Sequence, residues 1–189
     1  MKILAFAATS NTKSINSRLV KYAVNQLAKQ YKEANTEILD INDYELPLFS
    51  EDREEQLGQP DLAKEFLDKI GNSDAVIISF AEHNGSYTVA YKNIFDWASR
   101  INRKVFQNKP MILLATSPGP SGGSNVLKSA SASAPHFGGF VRASLAVPSF
   151  HDNFDIENNR ITNAEINTQL LTALNSLFEA SNSEIRQVA

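Results

Sequence analysis

Residues 74–80 have the sequence DAVIISF, and this run gives the strongest indication of the fold class. Apart from Asp74 and Ser79 its side chains are apolar, without the polar alternation of a strand that has one face in water. The run therefore predicts a central strand of a parallel sheet, covered by helices on both faces.

The same pattern of short apolar runs and amphipathic segments continues on both sides. Further strands are predicted at KILAFAA (2–8), TEILDI (36–41), PMILLAT (110–116) and FVRASLAV (140–147). Apolar spacings of three and four predict helices at 15–30, 61–71, 89–100, 124–134 and 162–180. Strand and helix in alternation predict an α/β fold with a parallel sheet between two helical layers.

The segment 42–60 departs from this alternation. Pro47 and Pro60 interrupt it, which predicts a long connection without regular structure across it. Its acidic run EDREEQ, residues 51–56, is interpreted as a solvent-exposed helix start rather than as an acid/base pair. Connections of this length often carry function.

Composition narrows the class of protein. The chain has 189 residues, a formal net charge of -3 and no cysteine. We expect one domain over residues 1–189, no nucleic-acid partner, no disulfide and no thiolate metal site. The apolar start is too short for a membrane span, which predicts a cytoplasmic protein without membrane contact. The three histidines lack metal-ligand spacing, so no metal site is predicted.

Loop one, TSNTKSIN at residues 9–16, links the first strand to its helix. The unpaired N–H groups and positive dipole of a helix N-terminus suit a phosphate, and Thr9, Asn11, Ser14 and Asn16 add short polar side chains. The loop contains no glycine, so it matches neither the dinucleotide fingerprint nor a Walker A loop. A plain helix cap made of turn-forming residues is the alternative interpretation.

Two further loops follow the third and fourth strands. Loop three, AEHNGSY at 81–87, contains an Asn-Gly turn, and the flat rings of His83 and Tyr87 lie on either side of that turn. Loop four, SPGPSGG at 117–123, is rich in glycine and proline, which lets a backbone approach a ligand closely. Each loop alone is also consistent with an ordinary turn. Parallel sheets bind ligands beyond the carboxyl ends of their strands, so all three loops together favour a binding site.

Taken together, the three loops resemble those of the NADPH-dependent FMN reductase family, which includes quinone, chromate and azo-dye reductases. The family's first loop reads G-S-x-R-x-x-S-x-N, so in ATSNTKSIN Ser14 and Asn16 match, Thr9 replaces a serine and Asn11 replaces the arginine. Its second signature, P-E-Y-N-G-S followed by K-N-x-x-D-W, resembles AEHNGS and KNIFDW, with departures at Ala81 and His83. Both LPLFSED and SPGPSGG also look like family segments.

The resemblance implies a flavodoxin-like three-layer sandwich whose five-stranded parallel sheet has the order 2-1-3-4-5. It also implies FMN as cofactor, with the phosphate in loop one and the isoalloxazine ring against loops three and four. The implied cofactor-binding residues are Thr9, Asn11, Ser14, Ile15, Asn16, Glu82, His83, Asn84, Gly85, Ser117, Pro118, Gly119, Gly122 and Gly123. A homodimer or homotetramer with its site near a subunit interface is expected.

The function implied is electron transfer from NAD(P)H through flavin to a small-molecule acceptor, which is a quinone, an azo compound or free flavin. The cofactor carries this chemistry, so no side chain is predicted to be catalytic. The alternatives are a flavodoxin-like binding or regulatory domain without NAD(P)H turnover, and an electron-transfer domain that requires a partner protein.

The missing arginine generates a prediction for Asn11→Arg. A hydrogen bond to a charged group contributes roughly 1.5–3 kcal/mol, so we expect FMN affinity to rise about ten- to a hundredfold. Riboflavin, which lacks the phosphate, should bind as it does to the wild-type chain. Titrating both variants with each flavin tests this, and equal gains for the two flavins would contradict a phosphate contact at residue 11.

Overall fold

A five-stranded parallel sheet lies at the centre of the protein, in the order β2-β1-β3-β4-β5. Its strands are β1 (Lys2–Ala8), β2 (Asn35–Leu39), β3 (Ala75–Phe80), β4 (Lys109–Thr116) and β5 (Gly139–Val147). The computed structural model describes residues 1–185. The predicted fold class, a flavodoxin-like three-layer sandwich with this strand order, is confirmed.

Helices cover both faces of the sheet. They are α1 (Ile15–Gln30), α2 (Glu51–Leu57), α3 (Asp61–Gly71), α4 (Val89–Ile101), α5 (Ser124–Ser133), α6 (Phe150–Asn153) and α7 (Ala164–Ile185). α1 and α7 pack on one face, and α3, α4 and α5 pack on the other. No helix within residues 1–185 is both long enough and apolar enough to cross a bilayer.

The position of β3 in the sheet explains why its sequence is almost uniformly apolar. Every residue from Ala75 to Phe80 is buried, because the strand has a neighbour on each side and helices on each face. Its side chains alternate between two cores: Ile77 contributes to the core with α1 and α7, whereas Ile78 and Phe80 face α3, α4 and α5. The prediction of a strand covered on both faces is therefore confirmed.

The structure corrects the interpretation of segment 42–60. Between its two prolines the chain forms α2, which starts at the N-cap Ser50 and ends at Gly58 with a positive φ of 67°. The predicted lack of regular structure was wrong, although the acidic run does begin an exposed helix. β2 also stops at Leu39, before a short 3₁₀ turn over Ile41–Tyr44.

A second correction concerns the segment between β5 and α7. Here the chain forms the short helix α6 and a two-stranded antiparallel hairpin of β6 (Phe154–Asp155) and β7 (Arg160–Ile161). The final helix consequently starts at Ala164 rather than at the predicted Thr162. Phe154 and Ile161 of the hairpin are buried against the core that contains α1 and α7.

Side chains of α4 hold the connection before α2 in place. The carboxamide of Asn93 accepts from Phe49 N–H at 2.8 Å and donates to Leu46 O at 3.0 Å. The indole Nε1–H of Trp97 donates to Pro47 O at 2.8 Å. Trp97 is fully buried. The residues that resemble the family's K-N-x-x-D-W signature thus fix the segment after β2.

Candidate functional site

Loop one folds through hydrogen bonds among its own polar groups. Thr9 Oγ1 accepts from Asn11 N–H at 3.2 Å, and Asn11 Oδ1 accepts from Lys13 N–H at 2.9 Å. Ser14 is the N-cap of α1, because its hydroxyl accepts from Asn16 N–H at 3.1 Å. The interpretation of this loop as a helix cap is therefore correct for Ser14.

The same loop also presents donors that the protein does not use. Among the described residues, no acceptor lies within hydrogen-bond reach of the backbone N–H groups of Ser10, Thr12, Ile15 and Ser17. The first turn of α1 contains no acidic side chain that would occupy the positive end of the helix. Unpaired N–H groups at a helix N-terminus suit an anion, so the helix cap leaves donors available for one.

Asn16 was predicted to bind the cofactor like its neighbours in loop one, but its side chain makes structural contacts within the protein instead. Its side chain is buried and lies between the ends of two strands: Oδ1 accepts from Ser79 Oγ at 2.8 Å and from Thr116 N–H at 3.0 Å, while Nδ2 donates to Thr116 O at 3.0 Å. Both acceptor sites of the carboxamide oxygen are thus filled by the protein. Asn16 ties α1 to β3 and β4.

Loop three is a tight turn at the carboxyl end of β3. Asn84 and Gly85 have positive φ values of 52° and 78°, and His83 and Ser86 exchange two backbone hydrogen bonds of 3.0 and 3.1 Å. Positive φ at both central residues is the reason for the Asn-Gly sequence. Within residues 1–185 the N–H groups of Asn84 and Gly85 have no acceptor, and both residues are exposed at the sheet edge.

Loop four is held by backbone contacts with the segment that follows β5. Ser117 O accepts from Phe150 N–H at 3.0 Å, and Gly119 O accepts from Ser149 N–H at 2.9 Å. Gly122 has a φ of 59°, and a Cβ there would lie 2.8 Å from the carbonyl carbon of Val147. Glycine is required at this position because any side chain would collide with backbone. Pro118 and Gly123 complete the loop.

Glu82 joins loop three to loop four. Its Oε2 accepts from the backbone N–H groups of Asn125 and Val126, each at 3.0 Å, and its Oε1 accepts from Asn125 Nδ2 at 3.3 Å. Both N–H groups belong to the first turn of α5, whose own N-cap is Gly123 and offers no side-chain acceptor. The carboxylate of one loop therefore caps the helix that follows the other loop.

The structure brings all the sequence-predicted site residues to one edge of the sheet. Loop one follows β1, loop three follows β3 and loop four follows β4, and these three strands are adjacent. The predicted residues differ in their surroundings, however: Asn16 and Glu82 use their side chains to connect loops, whereas Asn11 and His83 are exposed. A cleft of about 320 Å³ beside loop one is lined in part by Thr9 and Asn11.

Sequence reasoning did not assign a role to several residues that build this edge. Ser79 and Thr116 are the partners of the Asn16 carboxamide, and the Thr88 hydroxyl donates to Ala8 O at 2.9 Å, which ties the start of α4 to β1. Ser79 did leave a signal, since it is the one hydroxyl within the buried strand β3. A buried hydroxyl implies a hydrogen-bond partner, although the sequence does not name it.

Tyr87 contacts the apolar layer below loop three. Its hydroxyl forms a 3.1 Å hydrogen bond with Ser133 Oγ, and its ring lies 5.7 Å from that of Phe80. Burial raises the pKa of the Tyr87 hydroxyl, and the Ser133 hydrogen bond and the charge of Lys92 oppose this effect. The side chain therefore remains a neutral phenol and supports loop three from the core side.

Fold and loop geometry together define a flavodoxin-like α/β protein with a candidate binding site at the carboxyl ends of β1, β3 and β4. A model of the NADPH-dependent FMN reductase family matches residues 1–152. The chain belongs to this family, which confirms the resemblance drawn from its loops.

Curated relatives agree with this assignment. An NAD(P)H-dependent FMN reductase of Pseudomonas aeruginosa is 30% identical over 122 residues, which cover 65% of this chain and 63% of that protein. An NADPH:quinone oxidoreductase of Arabidopsis thaliana is 28% identical over 123 residues, covering 65% and 61%. The matches thus span less than two thirds of the length of these relatives.

Solved structures support the fold. The flavoenzyme FerB, an NAD(P)H:acceptor oxidoreductase from Paracoccus denitrificans, superimposes with a TM-score of 0.73 at 22% identity, covering 94% of this chain and 95% of FerB. An azoreductase from Bacillus anthracis gives a TM-score of 0.65 at 15% identity, covering 94% and 99%. At these identities the similarity establishes the common architecture.

The Asn16 contacts generate a stability prediction. Asn16→Ala leaves the buried N–H and C=O of Thr116 without partners, and each buried unpaired group costs about 1–3 kcal/mol. We expect the free energy of unfolding to fall by roughly 3 kcal/mol, and the melting temperature by about 6–12 °C. Asn25→Ala, at an exposed position of the same helix, is the matched control. Equal melting temperatures for the two variants would contradict a structural role for the Asn16 carboxamide.

Proposed function

We propose that this protein is an NAD(P)H-dependent FMN oxidoreductase that passes electrons to a small-molecule acceptor. One observation carries the proposal: loops one and four both lead into helices, but the N-terminus of α5 is occupied by the Glu82 carboxylate and that of α1 is not. An anionic group is therefore attracted to loop one rather than to loops three and four, where the Glu82 carboxylate already occupies the helix end. FMN has a matching distribution of charge, with an anionic phosphate at one end and a planar ring at the other.

The residues of loop one fit the phosphate. The N–H groups of Ser10, Thr12, Ile15 and Ser17 are unpaired within the described chain, and the Ser14 hydroxyl retains its proton for donation. The Thr9 hydroxyl can donate as well, because it acts as an acceptor in its contact with Asn11. The family arginine is absent at residue 11, so binding here depends on neutral donors and on the helix dipole.

Loops three and four fit the ring. The exposed N–H groups of Asn84 and Gly85 would be donors for the polar edge of the isoalloxazine, and the exposed imidazole of His83 would be available beside them. Gly119, Gly122 and Gly123 carry no side chain, so loop four approaches the ring through its backbone. The remaining contacts implied by the family resemblance are Ser117 and Pro118 in the same loop. When bound, FMN accepts a hydride from NAD(P)H and delivers the electrons to the acceptor.

The acceptor class follows from the names of relatives. Proteins of Pseudomonas putida and of Burkholderia that match this chain are named quinone reductase and 2-hydroxy-1,4-benzoquinone reductase. Structural neighbours include azoreductases. A quinone, an azo compound or free flavin is the proposed acceptor, and NADH and NADPH are both candidate donors.

Flavin titration and donor oxidation test this function. We expect the apoprotein to bind FMN more tightly than riboflavin, because riboflavin has no phosphate for loop one. The FMN complex should oxidise NADH or NADPH when a quinone is added, with ping-pong kinetics, because one face of the ring serves donor and acceptor in turn. A chain that takes up no flavin and oxidises neither donor would instead be a flavodoxin-like binding domain.

We also propose that the protein acts as a homodimer or homotetramer. Leu48 is 60% exposed although its neighbours Leu46, Pro47 and Phe49 are all held by α4. Val89, 72% exposed, lies one helical turn from Asn93 on the same helix. We infer that another subunit covers Leu48, because its backbone is held rigidly while its side chain is left in solvent.

This interface predicts the behaviour of Leu48→Asp. A carboxylate at the centre of an apolar contact must be desolvated, so we expect the assembly to dissociate into smaller species. Sedimentation velocity at matched concentrations measures this. Ile156→Asp is the control, because Ile156 is 41% exposed and belongs to the hairpin on the opposite face of the sheet. A wild-type chain that sediments as a monomer would overturn the oligomer proposal without touching the flavin site.

A further inference from the structure

Glu82 stands in loop three but makes its contacts with α5. The two N–H groups it binds belong to Asn125 and Val126, and the Asn125 carboxamide donates to its second oxygen. α5 spans ten residues, and its N-cap Gly123 is left-handed, with a φ of 79°. Since glycine has no side chain to cap the helix, a carboxylate 41 positions upstream of it takes over that task.

Close packing of the two loops keeps this contact in place. A Cβ on Gly123 would lie 3.8 Å from Glu82 Cβ and 3.1 Å from Ala115 Cβ, so the backbone of loop four passes directly over the start of loop three. The carboxylate is bound by three donors from one helical turn. Glu82 therefore contributes to the fixed separation of loops three and four, in addition to the close packing at Gly123.

The same contact changes the electrostatics of the site. A helix N-terminus corresponds to roughly half a positive charge, and an ionised carboxylate there contributes a full negative charge. The ends of loops three and four consequently present a net negative potential instead of a positive one. A ring that acquires negative charge on reduction is disfavoured beside such a group, because charge near a flavin tunes its electronics.

We propose that Glu82 is a positioning residue that holds loops three and four at the separation the isoalloxazine ring requires and lowers the reduction potential of bound FMN. This inference rests on the proposed function, because it assumes that the ring lies against these two loops. Glu82 acts through the N-terminus of α5. The inference assigns to its carboxylate both a geometric and an electrostatic effect, and each can be measured separately.

The electrostatic effect is tested with Glu82→Gln. Glutamine retains an oxygen that accepts from the N–H groups of α5 but has no charge. We expect the affinity for two-electron-reduced FMN to rise about tenfold relative to the affinity for oxidised FMN, which raises the midpoint potential by ~30 mV. Equilibration with reference dyes measures the potential. Glu51→Gln, which removes a carboxylate from the exposed first turn of α2, is the control and should leave the potential unchanged.

The geometric effect is tested with Glu82→Ala. Alanine removes the connection between the loops, so more of the binding energy is spent on ordering them and affinity for oxidised FMN should fall about tenfold. A melting temperature taken without flavin separates this loss from unfolding.

Four outcomes would count against the inference or against the proposed function. A Glu82→Gln potential equal to that of the wild-type protein overturns the electrostatic effect, and unchanged FMN affinity in a folded Glu82→Ala protein overturns the positioning role. If the wild-type protein binds no flavin, the proposed function fails and the inference fails with it. Flavin binding by the wild-type chain with no response in either variant overturns the inference alone.

Discussion

The carboxamide of Asn16 is the interaction on which the rest of the site depends. It lies in the first turn of α1, yet it binds Ser79 at the end of β3 and both backbone groups of Thr116 at the end of β4. Those are the strands that lead into loops three and four. Because the amide is buried, losing any of these contacts would leave a polar group without a partner, and such groups are costly. The arrangement of the three loops is thereby fixed by the protein itself.

Preorganisation of this kind reduces the cost of binding a ligand. Thr88 adds a second tie, from the start of α4 to the end of β1, and Glu82 adds a third, from loop three to α5. Loops joined in this manner lose little further freedom when a ligand arrives, so less of the interaction energy is spent on ordering them. The donors left free in loop one are then already oriented towards an anion.

Periodicity predicted the sheet, because its physical basis is local. A strand such as β3 that is covered on both faces must be apolar at nearly every position. On a helix, the apolar residues of one face recur at spacings of three and four residues. The five parallel strands and the long helices therefore lay close to their predicted bounds. The acidic start of α2 was predicted, but its place as regular structure within the connection was not, because the prolines around it were taken as breaks across the whole connection, whereas they lie outside the helix. The hairpin of β6 and β7 has strands of two residues each, too short for any period.

The site was predicted as a set of loops rather than as a set of contacts. Its position at the carboxyl edge followed from strand order, and the family resemblance identified the residue types. The side-chain partners could not be predicted, because Asn16 and Thr116 are 100 positions apart, and Glu82 and Val126 are 44 apart. A sequence pattern shows that a polar residue is present. Whether it binds a ligand or another loop depends on which group reaches it in the folded chain.

The distribution of charge along this edge links the contacts to the proposed ligand. α1 and α5 both direct the positive ends of their dipoles towards the loops, and two open N-termini side by side would favour a ligand with two anionic groups. Glu82 occupies one of them from within the chain, which leaves a single anion site at loop one. A mononucleotide flavin has one phosphate and a ring that is neutral when oxidised. Under the proposed function, the Glu82 carboxylate therefore directs the single phosphate of FMN to loop one, in addition to joining loops three and four.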